Sequence, residues 1–190
     1  ESIEYEEITK DSKYFLLGAR ALSSKIISDE VPPECNPLGE KNKLIIASGL
    51  LTGSPFPSSA RTSIGAKSPL TRGIKEANVG GRGSMMLARH GIRALVLDGV
   101  SSNLKIIIIT QDGIKLETAS EYKGIGNYNL HSKLYDKYGE KIGIYSIGPA
   151  GEHLMRNASV AANDMEGYPS RHAARGSLGA VMGSKGIKAV

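Results

Sequence analysis

The sequence has 190 residues, of which 40% are hydrophobic and 23% charged, and it carries a formal net charge of +5 at pH 7. This length suits one domain with its own core. The lysines and arginines are scattered rather than grouped in basic blocks, which argues against nucleic-acid binding. One cysteine cannot form an intrachain disulfide or hold an iron–sulfur cluster alone. With no apolar run long enough to span a bilayer, the composition predicts a cytoplasmic protein without membrane contact.

The first half of the chain predicts helices and strands in alternation. Apolar residues at helical spacing between Phe15 and Ile27 predict a surface helix that is capped by Asp11 or Ser12 and stopped by the proline pair at 32–33. Glycine pairs and short apolar runs mark the elements that follow. These are strands at 44–47 and 61–67, a helix from 80–81 to 89, and a strand at 92–97.

The second half begins with a predicted hairpin. Two strand-like segments, 104–110 and 114–117, flank Asp112-Gly113, a dipeptide typical of tight hairpin turns, so we expect them to pair antiparallel. Residues 128–138 then have the spacing of an amphipathic helix that ends at Gly139, and residues 142–147 predict another strand.

An internal repeat relates the two halves. Residues 89–95 match 184–190 in a glycine, an isoleucine, a basic residue, an alanine and an aliphatic residue, and the ungapped extension pairs Gly81 with Gly176. Upstream, 48–53 stands opposite 146–151. We therefore expect one α+β domain of two related halves, about 14–100 and 101–190, with mostly antiparallel or mixed sheets and flanking helices around a pseudo-two-fold axis. The alternative is a chance match between two generic helix-to-strand turns.

The repeat also bears on the length of the protein. The first copy continues through its last strand to Asp98-Gly99, whereas the second copy stops at Val190 within the equivalent strand. Because natural termini more often lie outside strands, we expect further domains of the same protein after this residue.

Two glycine-rich turns are candidate anion sites. Residues 78–83 and 174–177 each precede a helix, where backbone amides can bind phosphate, although neither fits a P-loop. Four arginines adjoin these turns and could pair with phosphate oxygens: Arg61, Arg82, Arg171 and Arg175. The alternative is a pair of structural turns with solvated arginines. The four histidines lie without carboxylates or cysteines at metal-ligand spacing, and we interpret them as surface or structural residues.

Seven segments in order give the sequence, from about residue 14 to its end, a specific resemblance to aldehyde ferredoxin oxidoreductases. The segments are VPP at 31–33, NPL at 36–38, LIIASGLLTG at 44–53, KSPLT at 67–71, ANVGG at 77–81, SIGPAGE at 146–152 and GAVMGSK at 179–185. The resemblance implies a domain whose two halves form a base for a bis-pterin cofactor, a tungstopterin or molybdopterin, with one pterin to each half.

The resemblance also implies site residues. Arg61 and Arg171 match arginines that reach the pterin phosphates, and Asn78 and Gly80 match residues at the first pterin. The backbone carbonyls of Asn78 and His172 would bind a magnesium ion that bridges the phosphates. The complete set of implied cofactor-binding residues is Arg61, Asn78, Gly80, Gly81, Arg171, His172, Ala174, Arg175 and Gly176.

Three positions depart from the family pattern. Arg82-Gly83 replaces a Tyr-Phe pair, Ala174 replaces a glycine that contacts the cofactor, and the link at 165–170 is longer than usual. If the glycine conformation at 174 has positive φ, an alanine there would be strained and the second pterin site altered.

The resemblance assigns catalysis to the longer protein. Its later domains would supply the cysteines of a 4Fe–4S cluster and the acid/base residues, and the whole enzyme would oxidise aldehydes to carboxylates with ferredoxin as electron acceptor. The present residues contain no catalyst of their own. A face shaped for the missing domains could also self-associate into a homo-oligomer. The alternative function is a stand-alone or degenerate domain that binds an anion or pterin without catalysis.

Overall fold

The computed structural model describes residues 2–190 and contains two β-sheets. The first sheet is antiparallel throughout and has the order β3-β2-β1-β4. Its strands are β1 (Leu44–Ser48), β2 (Thr62–Lys67), β3 (Ile74–Val79) and β4 (Ala94–Leu97).

The second sheet has six strands in the order β6-β5-β10-β7-β8-β9, and only the β10–β5 pair is parallel. Its strands are β5 (Lys105–Thr110), β6 (Gly113–Thr118), β7 (Tyr145–Ser146), β8 (Val160–Ala162), β9 (Arg171–Ala173) and β10 (Ile187–Ala189). The helices are α1 (Ala19–Glu30), α2 (Gly83–Arg89), α3 (Asn127–Tyr138), α4 (Pro149–Glu152) and α5 (Leu178–Ser184), with a 3-10 turn at Ser120–Tyr122. The predicted α+β class is therefore confirmed.

The main core lies between the two sheets. It combines side chains of both sheets with Leu87 of α2 and Leu178, Val181 and Met182 of α5, and α5 contacts strands of both sheets. The longer helices cover the outer faces of the two sheets. Helix α1 packs on the first sheet and α3 on the second. Each aliphatic side chain buried in this way stabilises the fold by about 1.5–3 kcal/mol. Among residues 2–190, no helix is long and apolar enough to cross a membrane.

The two halves share their strand order. The first sheet, β3-β2-β1-β4, has the same order as β9-β8-β7-β10 of the second, and the hairpin β5–β6 extends only the second. The helices agree too, since α1 and α3 have 12 residues each and α2 and α5 have 7. Gly91 and Gly186, which follow the short helices, have φ of 71° and 72°. These matches support an internal duplication, which remains our interpretation.

The strand pairing corrects one detail of the repeat. Ala94 and Ala189 match in the repeat, and they pair with Ala47 and Ser146 respectively. Ser146 is therefore equivalent to Ala47, and the sequence comparison that placed it opposite Ser48 was wrong by one residue. A displacement of one residue along a strand moves a side chain to the other face of the sheet, so the correction decides which residues are equivalent on the exposed face.

Helix α1 begins later than the sequence predicted, at Ala19 rather than residue 11. Residues before it form hydrogen-bonded turns, and Gly18 is its extended N-cap with φ of −145°. A Cβ atom on Gly18 would lie 2.7 Å from the backbone nitrogen of Leu50, so only glycine fits at this approach. At the other end, Val31 is extended before the proline pair, as expected.

Other boundaries differ as well. The hairpin β5–β6 is antiparallel as predicted, but Thr110 pairs with Gly113, so the turn residues are Gln111 and Asp112. The strand expected at 142–147 is limited to β7, and the helix expected from 80–81 begins at Gly83. The sequence analysis missed β3, β8 and β9 as separate strands.

Candidate cofactor-binding surface

Asn78 and His172 occupy equivalent positions on the two edge strands. Asn78 pairs with Ser63 on β2, and His172 pairs with Ala161 on β8. When the pairing is followed across each sheet, Asn78 leads to Ala94 and His172 leads to Ala189, which are the two alanines that match in the repeat. Both side chains are exposed, and β3 and β9 contact each other where the two halves meet. We use the name edge-strand surface for the exposed residues of both strands together with Arg61, Gly80, Ala174 and Arg175, which adjoin the strand ends.

Each glycine turn is fixed against the other half. Gly81 has φ of 127°, and a Cβ atom on it would lie 2.3 Å from the carbonyl oxygen of Asn163. Gly176 has φ of 77°, and its carbonyl accepts a hydrogen bond from the Ser68 hydroxyl at 2.9 Å. Both turns thus require glycine for backbone conformation and for lack of space, since a Cβ atom on Gly176 would lie 2.4 Å from Cγ of Lys75.

One amide at the start of each short helix is occupied within the domain. The amide of Arg82 donates to the Asn163 carbonyl at 3.1 Å, and that of Gly179 donates to the Ala158 carbonyl at 3.2 Å. These two amides are not free for a ligand, and phosphate binding by the other amides of the glycine turns stays a prediction.

Three of the four candidate arginines are available to a ligand. Arg61, Arg171 and Arg175 are exposed, and their guanidinium groups make no hydrogen bond or ion pair with any residue in the described range 2–190. Arg82 differs, since its guanidinium donates to the backbone carbonyls of Glu140, at 2.6 Å, and Met165. Arg82 therefore binds the two halves together and is not free for phosphate.

Arg61 and Arg171 are each linked through neighbouring residues to the first glycine turn. Arg61 directly precedes β2, whose first residue pairs with Val79 beside the first glycine turn. On the other half, Arg171 pairs with Ala162. A Cβ atom on Gly81 would lie 3.6 Å from the Ala162 side chain. The residue that pairs with Arg171 is therefore next to the first glycine turn. Their common concave face with both turns stays a prediction.

Gly80 and Ala174 differ from the strained positions beside them. A Cβ atom on Gly80 would meet nothing within 4 Å, so this residue leaves open space on the surface. Ala174 is exposed and is not among the residues with positive φ. The left-handed residues of its turn are Gly176 and Ser177, with φ of 77° and 61°. The strain that an alanine at 174 could have caused is therefore absent.

The long link before Arg171 is an ordered loop. The carboxylate of Asp164 accepts hydrogen bonds from the amides of Glu166 and Tyr168, each at 2.9 Å, and from the Ser170 hydroxyl. The Ser170 hydrogen bond, followed by the backbone amides, lowers the pKa of Asp164, whereas desolvation opposes this. These bonds fix the loop that leads into β9 and so fix the start of the edge strand. The signal in the sequence was Asp164 itself, because an aspartate can accept a hydrogen bond from the amide two residues later in an Asx turn.

Two histidines lie on the outer side of the second sheet. The exposed His172 has Nδ1 2.9 Å from the Ser159 hydroxyl. His131 of α3 is only 1% exposed, and its Nε2 lies 2.8 Å from the Ser146 hydroxyl. Burial, and to a smaller extent repulsion from His172, lowers the pKa of His131 to about 4. His131 is thus a neutral structural residue, as the sequence suggested for the histidines generally.

The edge-strand surface fits an anionic ligand. It combines three guanidinium groups without partners, an exposed imidazole and the open space at Gly80. No group of three or more histidine, cysteine or acidic side chains in residues 2–190 could hold a metal ion. The magnesium ligands that the resemblance implies are backbone carbonyls, and this assignment stays a prediction.

Comparisons with known proteins agree with this interpretation. The family model described as aldehyde ferredoxin oxidoreductase, N-terminal domain, matches residues 1–190. The tungsten-containing aldehyde ferredoxin oxidoreductase of Pyrococcus furiosus is 39% identical over 189 residues, which are 99% of this chain and 30% of that protein. The enzyme of the same description from Thermococcus kodakarensis is 37% identical, with the same coverage. The chain thus spans about 30% of the length of these relatives.

A solved structure is similar throughout the chain. The active-site complex BamBC of benzoyl coenzyme A reductase, bound to 1,5-dienoyl-CoA, superimposes with a TM-score of 0.91 at 33% identity. The match covers 100% of this chain and 28% of that chain. The fold is therefore shared with a large reductase as well as with the aldehyde-oxidising enzymes.

Proposed function

Because the chain belongs to the aldehyde ferredoxin oxidoreductase family, as its amino-terminal domain, we propose that its edge-strand surface binds a bis-pterin tungsten cofactor. The observation that carries this proposal is the set of three unpartnered arginines around the equivalent residues Asn78 and His172. Exposed guanidinium groups without carboxylate partners are well suited to phosphate, which they can bind bidentately.

Each half supplies groups to one end of the cofactor. Arg61 and Arg171 would hold the phosphates, and the backbone carbonyls of Asn78 and His172 would hold the magnesium ion. Gly80 leaves room for the first pterin. The remaining members of the site are Gly81, Ala174, Arg175 and Gly176. When bound, the cofactor supplies the redox-active metal, tungsten or molybdenum, while these residues bind and orient it.

The complete enzyme acts in the cytoplasm on aldehydes, which it oxidises to carboxylates with ferredoxin as electron acceptor. Since this chain spans about 30% of its relatives, the remaining carboxy-terminal domains supply the 4Fe–4S cluster, the acid/base residues and most of the substrate pocket. Those domains cover the edge-strand surface and complete the site. The same domains would also provide the contacts for a homo-oligomer.

A second candidate function follows from the similarity to the benzoyl coenzyme A reductase complex. A TM-score of 0.91 over the whole chain supports a role for this domain in the reduction of a coenzyme A ester as well as in aldehyde oxidation. Substrate class would then be set by the other domains. A non-catalytic, stand-alone anion-binding domain is the remaining alternative, and the presence or absence of metal in the full-length protein separates it from both enzymes.

The test compares arginine variants of the full-length protein by metal and pterin content. Arg61→Ala and Arg171→Ala should each lower the tungsten or molybdenum and the pterin bound per polypeptide, because a charge-assisted bond to phosphate is lost. Arg89→Ala is the matched control, since Arg89 is exposed on α2 and should not alter the content. A wild-type protein without pterin, or arginine variants that retain all of it, would contradict the proposal.

A further inference from the structure

The two halves carry different side chains at equivalent positions on and beside the edge strands. Arg61 directly precedes β2 and Ser159 directly precedes β8, so they are equivalent in the register that relates Asn78 to His172. The first half therefore presents an arginine and an asparagine where the second presents a serine and a histidine. The guanidinium of the first half has no counterpart at position 159.

The serine holds the histidine in place. Ser159 Oγ lies 2.9 Å from Nδ1 of His172, and the imidazole is exposed. If the hydroxyl donates to Nδ1, the ring proton resides on Nε2. Nε2 is then an oriented hydrogen-bond donor on the surface, a role that a backbone carbonyl at position 172 would not require.

The surroundings favour an anion as the acceptor. Arg171 is adjacent in sequence and Arg175 follows three residues later, and neither pairs with a carboxylate in residues 2–190. Two arginines without acidic partners give this part of the chain a positive potential, which favours an anion. Arg175 is an extra residue of the second half, because Gly81 follows Gly80 directly whereas Gly176 lies two positions after Ala174.

We infer that the His172 side chain donates from Nε2 to the anionic end of the ligand in the second half, with Ser159 as its positioning residue. This inference rests on the proposed function and deepens it. The two phosphate-binding ends are thereby chemically different, since the first relies on the guanidinium of Arg61 and the second combines the guanidinium of Arg171 with the imidazole of His172.

The test measures binding of magnesium pyrophosphate by the full-length apoprotein, using isothermal titration calorimetry. His172→Phe should weaken binding about ten- to hundredfold, as expected for a lost hydrogen bond to a charged group. His172→Gln keeps an amide nitrogen near the place of Nε2 and should bind within a few-fold of wild type. Ser159→Ala should lie between them, because the ring loses its orientation but not its donor. His153→Phe, at an exposed histidine on the loop after α4, is the control.

Thermal unfolding of every variant separates loss of the fold from loss of the contact. Equal binding by wild type and a folded His172→Phe protein would overturn the role of His172 and leave the proposed function standing. Failure of the wild-type apoprotein to bind magnesium pyrophosphate would instead overturn the anion-binding surface itself, and with it both proposals. Equal weakening by Phe and Gln would show a purely steric role and would also overturn the inference.

Discussion

Single residues at the first glycine turn decide how the two halves meet. Gly80 and Gly81 are neighbours, but only Gly81 combines a left-handed φ of 127° with a close approach to the Asn163 carbonyl. In the sequence, these two residues are indistinguishable members of one glycine pair. Their different roles arise from residue 163, which is distant in the chain, so the distinction could not be predicted without the structure.

We expect Gly81→Ala to destabilise the protein by about 3 kcal/mol or more, and Gly80→Ala to cost less than about 1 kcal/mol. The first places a Cβ atom 2.3 Å from a backbone oxygen in a conformation that alanine disfavours, whereas the second points into open space. Denaturant unfolding of both variants, compared with wild type, measures the difference. Equal losses of unfolding free energy in the two variants would show that the turn relaxes without the close contact.

The arginines of the candidate site also differ in how far their roles can be predicted from the sequence. The exposed cationic candidates Arg61, Arg171 and Arg175 are recognisable from residue type and motif, and the structure leaves them unpartnered. Arg82 has the same residue type and lies beside the same turn, but its side chain binds two backbone carbonyls of the other half. No local pattern distinguishes a guanidinium that faces a ligand from one that joins distant loops.

Elements whose stability depends on local spacing were predictable, and those that depend on distant partners were not. Helix α3 has a buried face at Leu130 and Leu134 and was predicted almost to its ends, as was the hairpin β5–β6. In contrast, β8 and β9 have three residues each and exist because they pair in one sheet. A three-residue strand has too little periodicity to be recognised in a sequence.

The longer helices are attached to the sheets by equivalent basic residues. Arg93 and Lys188 match in the repeat, and both donate to a backbone carbonyl two residues before a long helix. Arg93 reaches the carbonyl of Leu17 at 3.2 Å, and Lys188 reaches that of Ile125 at 2.7 Å. Only Lys188 is fully buried, and it also forms an ion pair with Glu152.

This difference predicts unequal effects of removing the two charges. Lys188→Met should cost about 3–5 kcal/mol of unfolding free energy, because it leaves the Glu152 carboxylate buried without its cation. Arg93→Met removes only hydrogen bonds to carbonyls and should cost about 1–2 kcal/mol. The combined variant Lys188→Met with Glu152→Gln, measured by the same denaturant unfolding, should recover part of the loss. A cost for Lys188→Met no larger than for Arg93→Met would refute the ion pair's importance.

At the scale of the whole molecule, the two halves are built from the same plan and share their main core. The main cluster takes residues of both sheets and of both short helices. Tyr145 of the second half is buried, and its hydroxyl is hydrogen-bonded to that of Thr62 in the first half. A Cβ atom on Gly83 would lie 2.3 Å from the Tyr145 ring, so the halves are in van der Waals contact at this point.

Separated halves should therefore fail to fold. Residues 1–100 alone would expose the inner face of the first sheet, and residues 101–190 alone would expose α5, whose buried residues contact β1 and β2. Each half would then lose much of the apolar burial that offsets the conformational entropy of the chain. We expect neither fragment to show a cooperative thermal transition or the near-ultraviolet circular dichroism of packed tyrosines, and an equimolar mixture to regain both in part. The 190-residue chain is the reference in the same experiment, and a cooperative transition in either isolated half would mean that the halves are independent folding units.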